Sequence, residues 1–438
     1  MVAIPIMLSQ LGGAIVMLAD SIMVGRLGTI SLAAVSFAGS VHIFGFIAGS
    51  ATLIGATPLV GYAFVRGDHE RASRLFQNAL LLSVGLSALL IALLTGTAYL
   101  MPFMGQEAAV VEEATGYYHL VNLSLLPFFL FCAFRQFFEG IGNTKVSMTI
   151  IITTNLINIL LNYLFIFGRC GAPQMGIEGA GLATLVARIL MPIMFLGVML
   201  WRTDWKRYLS LFRQTHFGIK PIVDILKVGL PISGHQLMEF SAFALSTIFA
   251  GWISATTQAS HMIAQNIGHM AFMLVLGLSS ATIIRVSHQY GIRDMQAVKM
   301  AASASLHLGI MLNSMSALTI ILLRQSIPTL FSSDPEVLML APTLLMMVGF
   351  FQLSDGMQAV SSGILRGLSD VNMPIKYAFF AYLVINIPLG LLFAFPLGMG
   401  APGLWLSLII GLTVAAILLY RRVRIQISRL LIGKALLK

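Results

Sequence analysis

Trp201–Lys227, WRTDWKRYLSLFRQTHFGIKPIVDILK, is the longest polar connection in a chain whose other stretches are apolar almost throughout. Working outward from it, apolar runs broken by charged residues, glycine or proline fall into two sets of six. The first set lies near 2–22, 32–61, 75–101, 115–138, 147–168 and 176–200. The second lies near 222–250, 258–284, 300–323, 338–363, 375–396 and 402–420. A helix of about 20 residues crosses the bilayer core, so each run is a candidate span. The 438 residues are 58% hydrophobic and 10% charged, with mean hydropathy +0.91, whereas soluble domains carry about 25% charged residues. The expectation is an all-α polytopic membrane protein with twelve transmembrane helices in two six-helix lobes. The N-terminal lobe is placed over 1–200, a cytoplasmic linker over 201–221, and a C-terminal lobe with a short basic tail over 222–438.

Charge placement sets the orientation. Counted from the start, the even loops and the C-terminus hold nearly all the Lys and Arg, among them Arg66, Arg71 and Arg74, then Lys206 and Arg207, then Arg421, Arg422 and Arg424. The odd loops hold only Arg26, Arg169 and Arg324, beside the acids Glu107, Glu112, Glu113, Glu178, Asp334 and Glu336. Basic loops stay in the cytoplasm, so both termini are expected there. This topology accounts for the net charge of +10 without a nucleic-acid partner. The acids of the odd loops would concentrate cations at an outward mouth. The start, MVAIPIMLSQLGGAIVMLAD, has no basic leader and reads as a first span, not a cleaved signal. Cys132 and Cys170 form no metal-binding spacing.

The halves align at an offset of about 226. Pro5 and Gln10 fall on Pro231 and Gln236, Asp68 on Asp294, and Gln106–Val110 on Ser333–Val337. The turn Gly140–Thr144 falls on Gly367–Val371, and Met175-Gly176 on Met399-Gly400. Six spans per half give both halves the same orientation, which makes a parallel repeat. Two such bundles are expected to enclose a cleft and rock around it.

Three carboxylates interrupt the apolar pattern: Asp20 in IVMLADSIMV, Glu239 in HQLMEFSAFAL and Asp355 in MVGFFQLSDGMQAV. A charge at membrane depth costs at least ~2.5–3.5 kcal/mol, and such acids normally face a bundle interior or a wet cavity, where they bind ions, protons or cationic ligands. The alternative is that each is neutral or paired with a base on a neighbouring helix. His235, Glu239 and Phe243 share one helical stripe, as do Phe351 and Asp355, and as do His261, Gln265 and His269. Acids beside aromatic rings suit a flat hydrophobic cation. The histidines are either hydrogen-bonded interior groups or proton relays. The methionines, 25 in all, are either span filler or an adaptable lining. No GxxxxGK[ST], HExxH or GxSxG motif occurs, so neither direct use of ATP nor an intramembrane enzyme is expected.

Pro5 with Asp20 and DSIMVGRLG in the first span, Glu239 in the seventh, and DGMQAVSSGILRG (Asp355–Gly367) in the tenth resemble the multidrug and toxic compound extrusion (MATE) transporters of the NorM-type branch. The resemblance covers essentially the whole chain. It implies the two pseudo-symmetric lobes of the MATE/MOP type and an antiporter in a bacterial inner membrane. Such a protein exports organic cations, drugs and dyes in exchange for Na⁺ or H⁺, without a cofactor and as a monomer. Family members usually carry some residues before the first span, so the start is expected to fall short of theirs.

Carried over by motif, the N-lobe cation site is Asp20 with Asn158, Asn162 and Thr184, a set that would also hold Na⁺. The C-lobe site is Glu239 with Asp355. Relatives have tyrosine one turn before the span-ten acid; here it is Phe351, which together with Phe243 offers a ring face but no hydroxyl. Read without the family, Asn155, Asn158 and Asn162 lie on one helical face. Their amide oxygens either join a carboxylate as hard ligands for a small cation or serve as interhelical hydrogen-bond glue. Arg188, one turn beyond Thr184, either pairs structurally and snorkels or touches substrate. Gly45-Phe-Ile-Ala-Gly49 reads as a close-packing motif. Among the intramembrane prolines, Pro5 is the candidate hinge near Asp20. The competing readings are a flippase for lipid-linked precursors, which should gather basic residues to hold a pyrophosphate, and an exporter of one narrow class of metabolite.

Overall fold

Helix is the regular structure throughout the computed structural model, which describes residues 3–213, 217–332 and 334–435. Among the described residues, twelve helices are long and apolar enough to cross a membrane. The first six are Ala3–Gly25, Ile30–Val65, His69–Ala98, Ala108–Gly140, Thr144–Phe167 and Gly176–Trp201. The other six are Ile219–Ile253, Ala255–Gly291, Met295–Leu323, Pro335–Gly367, Asn372–Ala394 and Gly400–Ile432. These are spans 1 to 12 below, and every expected span is present in order. Most run a few residues past the apolar stretch, because polar residues begin the helices. Asp68 accepts the Arg71 amide at 2.9 Å ahead of span 3, and Asp294 accepts the Ala297 amide at 3.1 Å ahead of span 9. These side chains satisfy N–H groups that the first turn leaves free. The expected span start at residue 2, part of the 201–221 linker, Ser333 of the third-loop match and the last three tail residues lie outside the described residues.

The chain forms two compact units, Ile4–Ser233 and Gly234 onward. In the first, span 4 packs against spans 2, 3 and 6; in the second, span 10 packs against spans 8, 9 and 12. Adding six to each number of the first set gives the second, so the packing repeats as the sequence does. The matched residues Asp68 and Asp294 also do the same job, each starting the third helix of its set.

Packing differs in character between the units. The first has an aromatic centre in which Phe76, Phe129, Phe131, Phe137, Phe138 and Phe195 are fully buried. The span-2 glycines give these rings room: a Cβ on Gly49 would overlap the Phe129 ring, and one on Gly45 would lie 2.7 Å from Leu94. In the second unit, spans 8 and 10 approach through small residues, and a Cβ on Gly363 would lie 2.6 Å from the Ser279 hydroxyl. Close approach of this kind is the usual source of van der Waals gain where lipid offers no hydrophobic drive.

Among the described residues, three spans are irregular inside. Span 2 breaks between Leu53 and Ala56, span 4 breaks at Ser124, and span 11 contains a π-helical stretch, Phe379–Asn386. Irregular backbone at membrane depth is tolerated where protein or a wet cavity surrounds it, and π-turns frequently mark functional sites.

Candidate functional site

Span 1 buries only Pro5, Ile6, Ser9 and Val24, so few packing contacts hold it. Its Asp20 side chain reaches span 5. There the Asn162 amide donates to Asp20 Oδ1 at 2.5 Å and to Asn158 Oδ1 at 3.3 Å. The period of span 5 makes this possible, since positions 158 and 162 lie one turn apart. Asn162 is 0% exposed, and its own Oδ1 is buried without a partner among the described residues. Asn155, on the same face, likewise has a buried Nδ2 without a partner. The structure thus joins Asp20, Asn158 and Asn162. Thr184 is half-buried on span 6 and, among the described residues, makes no hydrogen bond to these three. Pro5 falls in the first described turn of span 1, where its carbonyl accepts the Ser9 hydroxyl at 2.8 Å.

Arg188 is held firmly on the same side of the first unit. Its guanidinium donates to Ser124 Oγ at 2.7 Å, lies 4.9 Å from the Phe128 ring and 5.3 Å from Phe46, and interacts electrostatically with Asp20. Ser124 is the residue at which span 4 breaks, so the irregular turn presents the hydroxyl that anchors the guanidinium. Nearby, His42 and Asn122 are buried and joined through Nδ1 and Oδ1 at 2.8 Å. The sequence marked Arg188 as unusual but gave no sign of its aromatic clamp.

In the second unit, Glu239 on span 7 faces several polar groups. His235, one turn earlier, places Nδ1 3.9 Å from Oε2, and Gln358 and Tyr382 lie near enough to interact with the carboxylate. Gln358 also donates to the Tyr382 hydroxyl at 3.3 Å. Asp355 on span 10 is 2% exposed, has no partner for Oδ2 among the described residues, and interacts electrostatically with Glu239. A small pocket opens beside Glu239, bounded by His235, Gln358, Ser279, Ser362 and Arg366.

The aromatic stripe sits differently from the acids. Phe351 is buried and meets Phe243 and Trp405 edge-on, at 5.8 and 5.9 Å between ring centres. Its ring serves the packed core of the second unit. A hydroxyl near Glu239 comes instead from Tyr382, carried on the π-helical stretch of span 11. Sequence reading missed this residue, as it missed Gln358, because neither side chain is unusual in a span. On span 8, Gln265 accepts from Thr247 at 3.1 Å, while His261 lies 5.6 Å from Trp405 with both ring nitrogens buried and unpartnered among the described residues.

Each unit therefore holds an acid among amide or hydroxyl groups inside an apolar bundle. Such a group can exchange a metal cation, a proton and an organic cation, because all three compensate the same charge.

The MatE family model matches the chain twice, over residues 5–164 and 231–392, two ranges that begin at the prolines the internal alignment pairs. The multidrug resistance protein NorM of Photobacterium profundum is 31% identical over 427 residues, covering 96% of this chain and 93% of that protein. A probable multidrug resistance protein NorM of Xanthomonas campestris pv. campestris is 32% identical over 438 residues, covering 99% and 95%. A solved structure described as the outward-facing conformation of a multidrug resistance MATE family transporter of the MOP superfamily superposes with TM-score 0.89 at 22% identity, covering 98% of this chain and 95% of that one.

Proposed function

The chain belongs to the MatE family, and from that premise we propose that it is a secondary active multidrug exporter that expels organic cations in exchange for Na⁺ or H⁺. It is a multi-pass membrane protein, and its relatives bear the name multidrug resistance protein NorM. The observation that carries the coupling is the arrangement at Asp20, where a carboxylate meets the Asn162 amide, which also bonds to Asn158, in a region of otherwise apolar helix. A pure proton site needs no such shell, whereas Na⁺ requires several hard oxygens. Asp20, Asn158, Asn162 and Thr184 would supply them, and we favour Na⁺ for this reason. Turning the Asn162 amide brings its unpartnered oxygen to the carboxylate in place of its N–H. With no cation present the N–H compensates Asp20 instead. The sparse packing of span 1 lets it shift between these conditions, with Pro5 as the hinge.

In the second unit, Glu239 and Asp355 hold the drug cation or a coupling ion, and Tyr382 and Gln358 orient the Glu239 carboxylate. Phe243 and Phe351, packed edge to face in the core of the same unit, would offer a ring face to a cation that reaches them. No cofactor enters this scheme, the cycle belongs to a monomer, and the basic loops support a reading with both termini in the cytoplasm of a bacterial cell. A flippase for lipid-linked pyrophosphates would gather bases. Arg188 and Arg366 instead lie in different units, and each faces a carboxylate.

The test is transport by purified protein in liposomes, with ethidium as the fluorescent cation and an imposed Na⁺ or pH gradient. Gradient-driven ethidium movement is expected, and Na⁺ alone should sustain it. Movement indifferent to both gradients would overturn the antiport reading. Equal rates with a pH gradient and no Na⁺ would reassign Asp20 as a proton site.

A further inference from the structure

Arg366 ends span 10 and is 7% exposed, and its carbonyl accepts the Ser369 amide, yet among the described residues its guanidinium has no hydrogen bond and no ion pair within 4 Å. A guanidinium has five donors and is always charged, so this isolation calls for an explanation. The pocket beside Glu239 provides one. Arg366 bounds it together with Glu239, His235, Gln358 and Ser362, and the guanidinium attracts the Glu239 carboxylate through space. Asp355, Gln358, Ser362 and Arg366 follow one another at three- and four-residue steps, so one face of span 10 runs polar from the acid pair to the loop after Gly367.

The internal duplication sharpens the point. The turn Gly140–Thr144 matches Gly367–Val371, which sets Glu139 against Arg366 and Arg135 against Ser362. In the first unit these positions form a closed pair, with Arg135 Nε 2.6 Å from Glu139 Oε1. In the second unit the partner one turn back is a serine whose hydroxyl is itself buried and unpartnered among the described residues. The local ion pair is gone, and the remaining charge has the opposite sign and faces Glu239.

We propose that Arg366 is a tethered counter-cation for Glu239, a positioning residue that neutralises the carboxylate when no transported cation is bound and that an arriving coupling cation must displace. This rests on the reading of Glu239 as a cation site. Arg366 weakens cation binding at Glu239 and speeds release, because the guanidinium returns as the ion leaves. The close approach of Gly363 to Ser279 keeps spans 8 and 10 fixed around the pocket, so the guanidinium moves while the backbone stays.

The experiment compares wild type, Arg366→Gln, Arg366→Lys and Ser362→Glu in ethidium-transport liposomes, with Na⁺ titrated at fixed pH and protons titrated without Na⁺. Ser362→Glu restores a partner one turn from Arg366, as in the first unit, and draws the guanidinium away without deleting it. For whichever cation drives wild type, Arg366→Gln and Ser362→Glu should each lower the half-saturating concentration about tenfold and lower the maximal rate. Arg366→Lys should stay near wild type in both. A lower maximal rate at unchanged or raised half-saturation in Arg366→Gln and Ser362→Glu would show a merely structural role and overturn the proposal. Should Arg366→Gln fail to fold, Ser362→Glu decides by the same two outcomes. Wild type indifferent to both cations would overturn the antiport reading and this inference together, whereas a responsive wild type with unshifted variants defeats the inference alone.

Discussion

Asp20 has one strong partner, the Asn162 amide, and that asymmetry decides what each substitution does. Asp20→Asn keeps the volume but removes the charge that a coupling ion compensates, so gradient-driven ethidium transport in liposomes should disappear. Asn162→Ala keeps the charge and removes one ligand. Losing a group that supports a bound metal typically costs about 10–100-fold in affinity, so without the amide oxygen as a ligand the Na⁺ concentration for half-maximal transport should rise roughly tenfold or more while Asn162→Ala still transports at saturation. An unchanged Na⁺ requirement in Asn162→Ala would remove span 5 from the ion site. In the other unit, Glu239→Gln and Asp355→Asn should each abolish drug resistance in cells at unchanged membrane abundance. Full resistance in both would leave the first unit as the only working site. The acids were legible because a carboxylate in an apolar run is costly and therefore conspicuous. Tyr382, Gln358 and Arg366 were not, because their meaning depends on which way a helix face turns, and spacing along one segment does not carry that. Phe351 shows the same limit: its position beside Asp355 was readable, its engagement with Phe243 and Trp405 was not.

Helices were more legible than faces. Periods and breaks revealed all twelve spans, and the physical cause of the boundary differences is consistent: Asp68, Asn143 and Asp294 look like loop residues by hydropathy and act as caps. The π-helical stretch of span 11 left no trace, because a widened turn changes which residues face inward without changing composition. The close-packing reading of Gly45 and Gly49 holds in the structure and carries a prediction for span 2. A methyl group on Gly49 would meet the Phe129 ring, which is itself wedged in the aromatic core of the first unit and has little room to yield. Overpacking of this kind costs about 1–3 kcal/mol. Gly49→Ala should lower the melting temperature of purified protein measurably, whereas Gly13→Ala, where a Cβ meets nothing within 4 Å, should not. Equal melting of the two would mean that the ring moves aside freely.

For the whole molecule, topology and energetics join. By the tendency of basic loops to stay in the cytoplasm, the connection between spans 6 and 7 is expected to face it. A single cysteine placed at the exposed Lys206, with Cys132 and Cys170 replaced, should react with an impermeant reagent only after the membrane is opened. Reaction in intact cells would invert the orientation.

The presence of an acid site in each unit then bears on the charge moved per cycle. If each site carries one monovalent coupling ion inward while a single ethidium cation leaves, the cycle carries one net positive charge inward. The membrane potential then contributes about 2.3 kcal/mol per 100 mV, equivalent to roughly fiftyfold in the ethidium gradient it supports. If only one site exchanges its ion per cycle, inward and outward charges cancel and the potential contributes nothing. The duplicated arrangement favours the first case, because Asp20 and Glu239 lie in separate units with their own partners, and neither set of ligands depends on the other. Potassium-loaded liposomes treated with valinomycin give the discriminating measurement, with the Na⁺ gradient held constant while the potential is varied. Ethidium transport should accelerate with a potential that is negative on the side receiving Na⁺. Rates independent of the potential would mean that one of the two carboxylates remains occupied or neutral throughout the cycle, and the neutral variants Asp20→Asn and Glu239→Gln would then show which site still couples.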